Sequence, residues 1–199
     1  MATTDLRERL KAALRETSAP SSDFDLNPDV VLPGNRVLRD AGVLVGVIAG
    51  ARPMLVLTKR SSRLKHHPGQ IAFPGGKVDP DDGGPVAAAL REAEEEIGLP
   101  RAAVEVLGTL PPHETVTGFT VTPVLGWISA AFEPVPEAGE VAEVFTVPFD
   151  HVTDPAQYSV QSRRWRGSRR HYYTVPFGPY YIWGATARML RVLADRMRE

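Results

Sequence analysis

Glu92, Glu94, Glu95 and Glu96 fall within five positions of the segment Ala89-Leu90-Arg91-Glu92-Ala93-Glu94-Glu95-Glu96-Ile97-Gly98-Leu99-Pro100. At about 100° per residue on a helix, Glu92, Glu95 and Glu96 share an arc of about 100°, and Glu94 points elsewhere. Val86, Leu90, Ala93 and Ile97 occupy an arc of about 60° beside them, a narrow stripe that faces a core. Carboxylates this close raise one another's pKa, and late in a helix the dipole adds to the cost. A hard divalent cation removes the difficulty. Mg²⁺ takes oxygen ligands from a few carboxylates and from substrate phosphates while keeping several waters. The pattern therefore suits metal-assisted phosphate chemistry, with Glu92, Glu95 and Glu96 as ligands and Arg91 bracing one carboxylate. An acidic run alone is ordinarily a solvated helix face, so the surrounding residues decide.

Gly75-Gly76 reads as a glycine turn, and immediately before it stands a basic cluster, Arg60, Arg63, Lys65, His66 and His67, suited to an anionic ligand. Glu137, Glu140 and Glu143 are acids outside the helix that qualify as general bases. Glu140 is preferred because it directly precedes a predicted strand. His113 is a candidate to line a site, and the aromatic group Tyr172, Tyr173, Tyr180, Tyr181 and Trp183 to stack on a base, but lone histidines and aromatic clusters usually belong to a core, so both read as structural.

These groups must be held by a folded frame. Leu6, Leu10 and Leu14 predict an amphipathic helix over 4–16, followed by a turn-rich, extended connector over 18–29. Apolar runs at 41–50 and 53–60 predict a hairpin. Residues 61–83 show little regular pattern apart from a short strand candidate at 71–73. A helix is predicted from 84 to 97, stopped by Gly98 in the left-handed conformation with Pro100 beyond. Strands are expected at 102–110, 119–129 and 141–149, a hairpin around 163–175, and a closing helix from 184 with Ala187, Leu190, Leu193 and Met197 on one face. That face covers either the chain's own core or a second copy, which leaves a homodimer open. The order predicts an α+β domain, an α/β/α sandwich with a mixed sheet flanked by helices, spanning 1–199 with an N-terminal extension over 1–35.

Composition narrows the classes. The chain has 199 residues, 43% hydrophobic and 24% charged, which is that of a globular protein. Lys and Arg (23) nearly balance Asp and Glu (24), so no nucleic acid or membrane partner is expected. The absence of cysteine excludes disulfides, thiol nucleophiles and Cys-ligated zinc. No run of about 18 apolar residues predicts a membrane helix, and the N-terminal segment lacks the pattern of a leader, so a cytoplasmic location is expected. Gly69–Lys77 echoes a P-loop without the required Ser or Thr, and Asp79–Gly83 has too few oxygens for an EF-hand.

The segment from Gly76 through Leu99 resembles the Nudix box, G-x5-E-x7-R-E-U-x-E-E-x-G-U, with Gly76, Arg91, Glu92, Glu95, Glu96, Gly98 and Leu99 matching. It departs in the loop: 14 residues separate Gly76 from Arg91, one more than the box has, and Gly83 stands eight before Arg91 where the box has Glu. Asp79 and Asp82 are the acids available to replace it. Upstream, Leu57, Thr58, Arg60, Ser61, Gly69, Phe73, Pro74, Gly75 and Gly76 are similar to the signature of coenzyme A pyrophosphatases, with Lys65 at a usual Arg position. The loop Asp79-Pro80-Asp81-Asp82 is similar to that subfamily's acidic loop and accounts for the extra residue.

The resemblance implies cleavage of the diphosphate of coenzyme A or its derivatives to 3′,5′-ADP and 4′-phosphopantetheine, with Mg²⁺ or Mn²⁺ as cofactor. It implies metal ligation by Glu92, Glu95, Glu96 and the Gly76 carbonyl. Catalytic roles fall to Arg91, Glu92, Glu95 and Glu140, and substrate contacts to Arg60, Ser61, Lys65, His67, Gly69 and Phe73. The rivals are the same chemistry on ADP-ribose or a dinucleotide, and a non-catalytic ligand-binding relative.

Overall fold

The computed structural model describes residues 3–16, 19–165 and 167–198. Met1, Ala2, Thr17, Ser18, Arg166 and Glu199, which fall in the predicted extension, connector, hairpin and closing helix, lie outside them. In chain order the elements are α1 (Thr3–Arg15), β1 (Ser21–Ser22), β2 (Arg39–Ile48), β3 (Met54–Arg60), β4 (Ile71–Ala72), β5 (Gly75–Lys77) and α2 (Pro85–Ile97). There follow β6 (Val104–Thr109), β7 (His113–Glu114), β8 (Phe119–Ile128), β9 (Val141–Pro148), α3 (Phe149–Val152), β10 (Ser159–Trp165), β11 (Ser168–Thr174) and α4 (Gly184–Arg196).

A mixed sheet runs β1-β7-β8-β2-β3-β4, with β5 on β2, β6 on β8 and β9 on β3. Its spine is a parallel ladder of β2 with β8, in register from Arg39↔Phe119 to Ile48↔Ile128. The central strands are apolar on both faces, as a covered sheet requires. Leu44 and Val56 pack with Ala93, Ile97 and Leu99 on the α2 side. Val45, Val47, Leu55 and Leu57 pack with Leu6, Leu10, Leu190 and Leu193 from α1 and α4 on the other. This is the expected three-layer α+β arrangement. The apolar face of α4 lies in the chain's own core. No helix among the described residues is long and apolar enough to cross a membrane.

Two sequence expectations change. The glycine pair is not a turn between elements: Gly75 and Gly76 lie in β5, paired with Val43 and Gly42. The buried face of α2 is also rotated from the expected stripe. Ala88, Ala89, Ala93, Glu96 and Ile97 are buried, whereas Val86 and Leu90 are only half-buried. The cause is close approach. A Cβ on Gly42 would lie 1.9 Å from the Pro85 carbonyl oxygen. At that separation alanines and backbone meet, larger side chains move to the margin, and the inward face takes in Glu96.

The connector is not merely extended. β1 pairs in parallel with β7, and the fully buried His113 is held between Ser21 Oγ at 2.9 Å and Asp23 Oδ1 at 3.1 Å. A carboxylate has no proton to give, so Nε2–H donates to Asp23, and in the neutral ring Nδ1 then accepts from the Ser21 hydroxyl. With Ser21 buried, this is a clasp and not a nucleophilic triad. Asn27 makes a second clasp: its Nδ2 donates to the His171 carbonyl at 2.9 Å and its Oδ1 accepts from the His171 amide at 2.8 Å.

Gly42→Ala should destabilise the protein by about 1–3 kcal/mol through forced separation of α2 from β2, which lowers Tm by several degrees. Gly34→Ala, with open space at its Cβ, serves as the control. Equal melting of Gly42→Ala and wild type would show that α2 does not sit as close as described.

Candidate active site

The helix α2 starts with Pro85 at its first turn and ends at Gly98, φ 69°, in the left-handed conformation that L side chains avoid. Its position over β5 determines where its acids go. Glu96 is buried, 5% exposed, and its Oε2 accepts from the Gly75 amide at 3.1 Å. Glu92 lies against the neighbouring backbone, with Oε1 2.4 Å from where a Cβ on Gly76 would stand. Only glycine leaves that cradle open.

Arg91 organises the outer half of the cluster. Its Nε and Nη2 donate to the two oxygens of Asp82 at 3.0 and 2.9 Å, a bidentate pair. Its Nη1 donates to Glu92 at 2.9 Å and Glu95 at 3.0 Å, and Nη2 also reaches the Lys77 carbonyl at 3.2 Å. The sequence suggests one braced carboxylate, whereas the guanidinium hydrogen-bonds three and pairs with a fourth, Asp79, at 3.6 Å. Asp82 in turn accepts from the Asp79 amide at 2.9 Å, which ties the acidic loop to the helix. Glu94, the residue expected to point away, pairs with Arg101 at 2.9 Å on the surface.

The charges are not balanced on the inner side. Loss of water pushes the Glu96 carboxyl up to about 7 against the opposing pull of the Gly75 amide, and Glu92 and Glu140 add to the rise. Burial likewise raises Glu92, opposed by Arg91 and reinforced by Glu95 and Glu140. Asp82 goes the other way, held down at about 2 chiefly by Arg91 and then by the Asp79 amide. Among the described residues no three acidic or histidine side chains converge as a ready-made metal cage. The donors nevertheless fit a hard cation: they are oxygens, Arg91 offsets only part of their mutual repulsion and makes no hydrogen bond to the buried Glu96, and the open backbone at Gly76 lies against Glu92. Glu140 is exposed on its loop, and its carbonyl accepts from the Ser61 amide at 2.8 Å.

Beside Gly75 opens a cavity of about 350 Å³. Of the substrate contacts expected from sequence, Arg60, His67 and Phe73 line it, together with Gly75. Lys65 and Gly69 are exposed in the preceding loop, Gly69 turning at φ 70°, and neither lines the cavity. Ser61 is buried and accepts from the Arg63 amide at 3.3 Å, holding the turn. Burial, with Arg60 and His66 nearby, lowers the His67 pKa.

Other walls come from segments distant in sequence, and of these the sequence offers only the aromatic residues as candidates. Asp23 and Asn27 come from the connector, Arg163, Arg170 and Tyr172 from the β10–β11 hairpin, and Trp183 from the entry to α4. Tyr172 and Trp183 are half-buried on the cavity, not core residues as expected. The available signal was the alternation of the hairpin, which sets Arg163 and Arg170 on the same face. His113 is structural, as read.

The fold is a mixed sheet between helices, with an arginine-braced glutamate helix on a glycine strand beside a basic cavity. Comparison with known proteins gives its family. The NUDIX domain model matches residues 38–172. The chain is 45% identical over 156 residues to an uncharacterized Nudix hydrolase, NudL, of Citrobacter koseri, covering 78% of this chain and 81% of that protein. It is 42% identical over 156 residues to NudL of Escherichia coli K12, with the same 78% and 81% covered. A solved MutT/nudix family protein from Enterococcus faecalis shares the fold at a TM-score of 0.52 and 14% identity, covering 98% of this chain and 73% of that one. The chain belongs to the Nudix hydrolase family, whose members act on small nucleotide conjugates and use divalent ions such as Mg²⁺ or Mn²⁺.

Asp82→Asn should loosen the loop without unwinding α2. Hydrogen exchange at pH 7 should show faster exchange of the Asp79 amide and unchanged protection within Pro85–Ile97. Because Asp82 is held below the unfolded carboxylate value of about 4, its brace is present above that pH and is lost as pH falls through about 2. Unchanged protection at Asp79 would remove Asp82 from this role.

Proposed function

We propose that the protein hydrolyses the diphosphate of coenzyme A and its derivatives, giving 3′,5′-ADP and 4′-phosphopantetheine, with Mg²⁺ or Mn²⁺. The observation that carries this reading is the meeting of two motifs. The upstream signature contributes Arg60, Phe73 and Gly75 to one cavity, and the Gly75 amide is bonded to Glu96 of the glutamate helix.

In this reading Glu92, Glu95, Glu96 and the Gly76 carbonyl would hold the metal, which when bound would supply charge neutralisation for the diphosphate and acidify the attacking water. Arg91 is a positioning residue: it fixes Glu92 and Glu95 on the helix and joins them to the acidic loop. Arg60 lines the cavity together with Gly75, and its guanidinium meets a phosphate oxygen there. Glu140 takes the proton of the attacking water. Its carboxylate acts on both Glu92 and Glu96, and its backbone is fixed by Ser61. Water adds to one phosphorus, the bridging P–O bond breaks, and two phosphomonoesters leave.

Incubation of coenzyme A with the protein and Mg²⁺ or Mn²⁺ should release 3′,5′-ADP, and chelation should stop it. Glu96→Gln should lower kcat by at least about 100-fold, the scale of losing one electrostatic stabiliser. Intact coenzyme A alongside cleavage of ADP-ribose or a dinucleotide would move the assignment to those substrates, and no cleavage of any would favour a binding protein.

The same variant has an expected signature in stability. The folded pKa of Glu96, about 7, exceeds the unfolded value of about 4.3. Its charge therefore costs stability that accumulates as pH rises toward 7 and is complete above it. Without metal at pH 8, Glu96→Gln should melt at or above wild type, and added Mg²⁺ should raise the Tm of wild type only. A metal-induced rise of equal size in both proteins would exclude Glu96 as a ligand.

A further inference from the structure

The cavity is strongly one-signed at the end away from α2. Arg163 and Arg170 stand directly opposite each other in the antiparallel ladder of β10 and β11, and both line the cavity. Like charges at opposed positions repel and weaken a hairpin. They are nonetheless held in place by aromatic rings. The Arg163 guanidinium lies 4.7 Å from the Trp183 ring centre and that of Arg170 lies 5.6 Å from the Phe24 ring. Trp183 meets Tyr172 edge-on at 5.1 Å. Asp23 is the one acidic lining residue among the described residues, and its oxygens already accept from His113 and from the Val116 amide at 2.8 Å.

The two ends of the cavity differ in kind. Gly75 and Arg60 adjoin the glutamate helix, where the diphosphate must lie for cleavage. The arginine pair sits on a separate two-stranded sheet beside two aromatic rings. A volume of about 350 Å³ is at the small end of ligand sites, which run from about 300 to 1,000 Å³, and suits one nucleotide. Arginine forks match phosphate oxygens, and an aromatic face beside them suits a base.

We propose that this cavity takes the phosphorylated nucleoside end of the substrate, with Arg163 and Arg170 gripping its 3′-phosphomonoester dianion and Trp183 and Tyr172 forming the wall against the adenine. The identity of the nucleoside rests on the coenzyme A reading; the anion grip rests on the hairpin. Arg163 and Arg170 are then the residues that separate a 3′-phosphorylated substrate from one lacking that group. The substrate's own charge relieves the repulsion built into the ladder.

The test is calorimetric binding of 3′,5′-ADP and of 5′-AMP, neither of which has a diphosphate to cleave. Wild type should bind 3′,5′-ADP at least about 10-fold more tightly. Arg163→Gln, at an exposed position, should bring that ratio close to one while leaving the affinity for 5′-AMP within about twofold. Arg170→Gln should repeat the result. Arg163→Lys should retain part of the preference, since charge remains and the fork is lost. Arg164→Gln, which does not line the cavity, should retain all of it. Equal binding of the two nucleotides by wild type, or a preference that survives in Arg163→Gln, overturns the proposal. Coenzyme A turnover by wild type is scored separately. Its absence together with an Arg163-dependent preference would sink the coenzyme A reading and leave the grip standing; turnover with an undiminished preference would do the reverse.

Discussion

The site depends on how close a helix can come to a sheet. Gly42 and Gly76 are partners in register across β2 and β5, and α2 rests on the floor they make. With no Cβ at either place, the helix backbone approaches the strands closely enough for Ala88, Ala89 and Ala93 to form the contact. Two acids are thereby set against main-chain atoms, Glu96 on the Gly75 amide and Glu92 on the Gly76 backbone. A longer side chain in the floor would lift the helix and carry both carboxylates away from the strand. The glycines do their work through absence of volume, and the loop, the brace and the cavity mouth are arranged around the place they leave.

Electrostatics divide the region into two halves that meet at Gly75. On the helix side, carboxylates outnumber the single guanidinium that holds them, and the buried one is pushed toward neutrality. On the cavity side, Arg60, Arg163 and Arg170 face a single acid that is already bonded. Neither half is at its most favourable alone. An isolated carboxylate in a dry setting and opposed arginines in a hairpin are both arrangements that folding tolerates only when the rest of the structure determines them. A ligand rich in phosphate, accompanied by cations, has charge of the right sign for each.

Much of this was legible in the sequence because it was local. The helix from Pro85 to Ile97 was marked by its periodicity, by Pro near its start and by Gly98 at its end, and the wheel brought Glu92, Glu95 and Glu96 to one side. The rotation of its buried face was not legible. Periodicity identifies an apolar stripe from the sizes of side chains, whereas the packing was decided by glycines on two strands, one of them, Gly42, more than forty residues away in sequence. β5 was hidden for a related reason, since Gly75-Gly76 carries turn chemistry and its pairing with β2 is a tertiary fact. The cavity wall was the least visible part. Arg163 and Arg170 read as part of a hairpin, Trp183 as core and Asn27 as connector. Their common face exists only once four distant segments are assembled.

Asn27 carries a consequence of another kind. Its two bonds to the main chain of His171 cross 144 residues, and the clasp at His113 joins residues 92 and 90 positions apart. Contacts of such long span pay their loop-closure entropy late, after the local pairings are made. On a ribosome the helix with its acids is complete well before residue 171 has been synthesised, so the acidic machinery exists as secondary structure before the chamber that would select for it. Order of assembly thus separates the two halves in time as well as in space. The acidic helix forms from near neighbours in the chain, and the cavity wall waits for the two ends of the fold to meet.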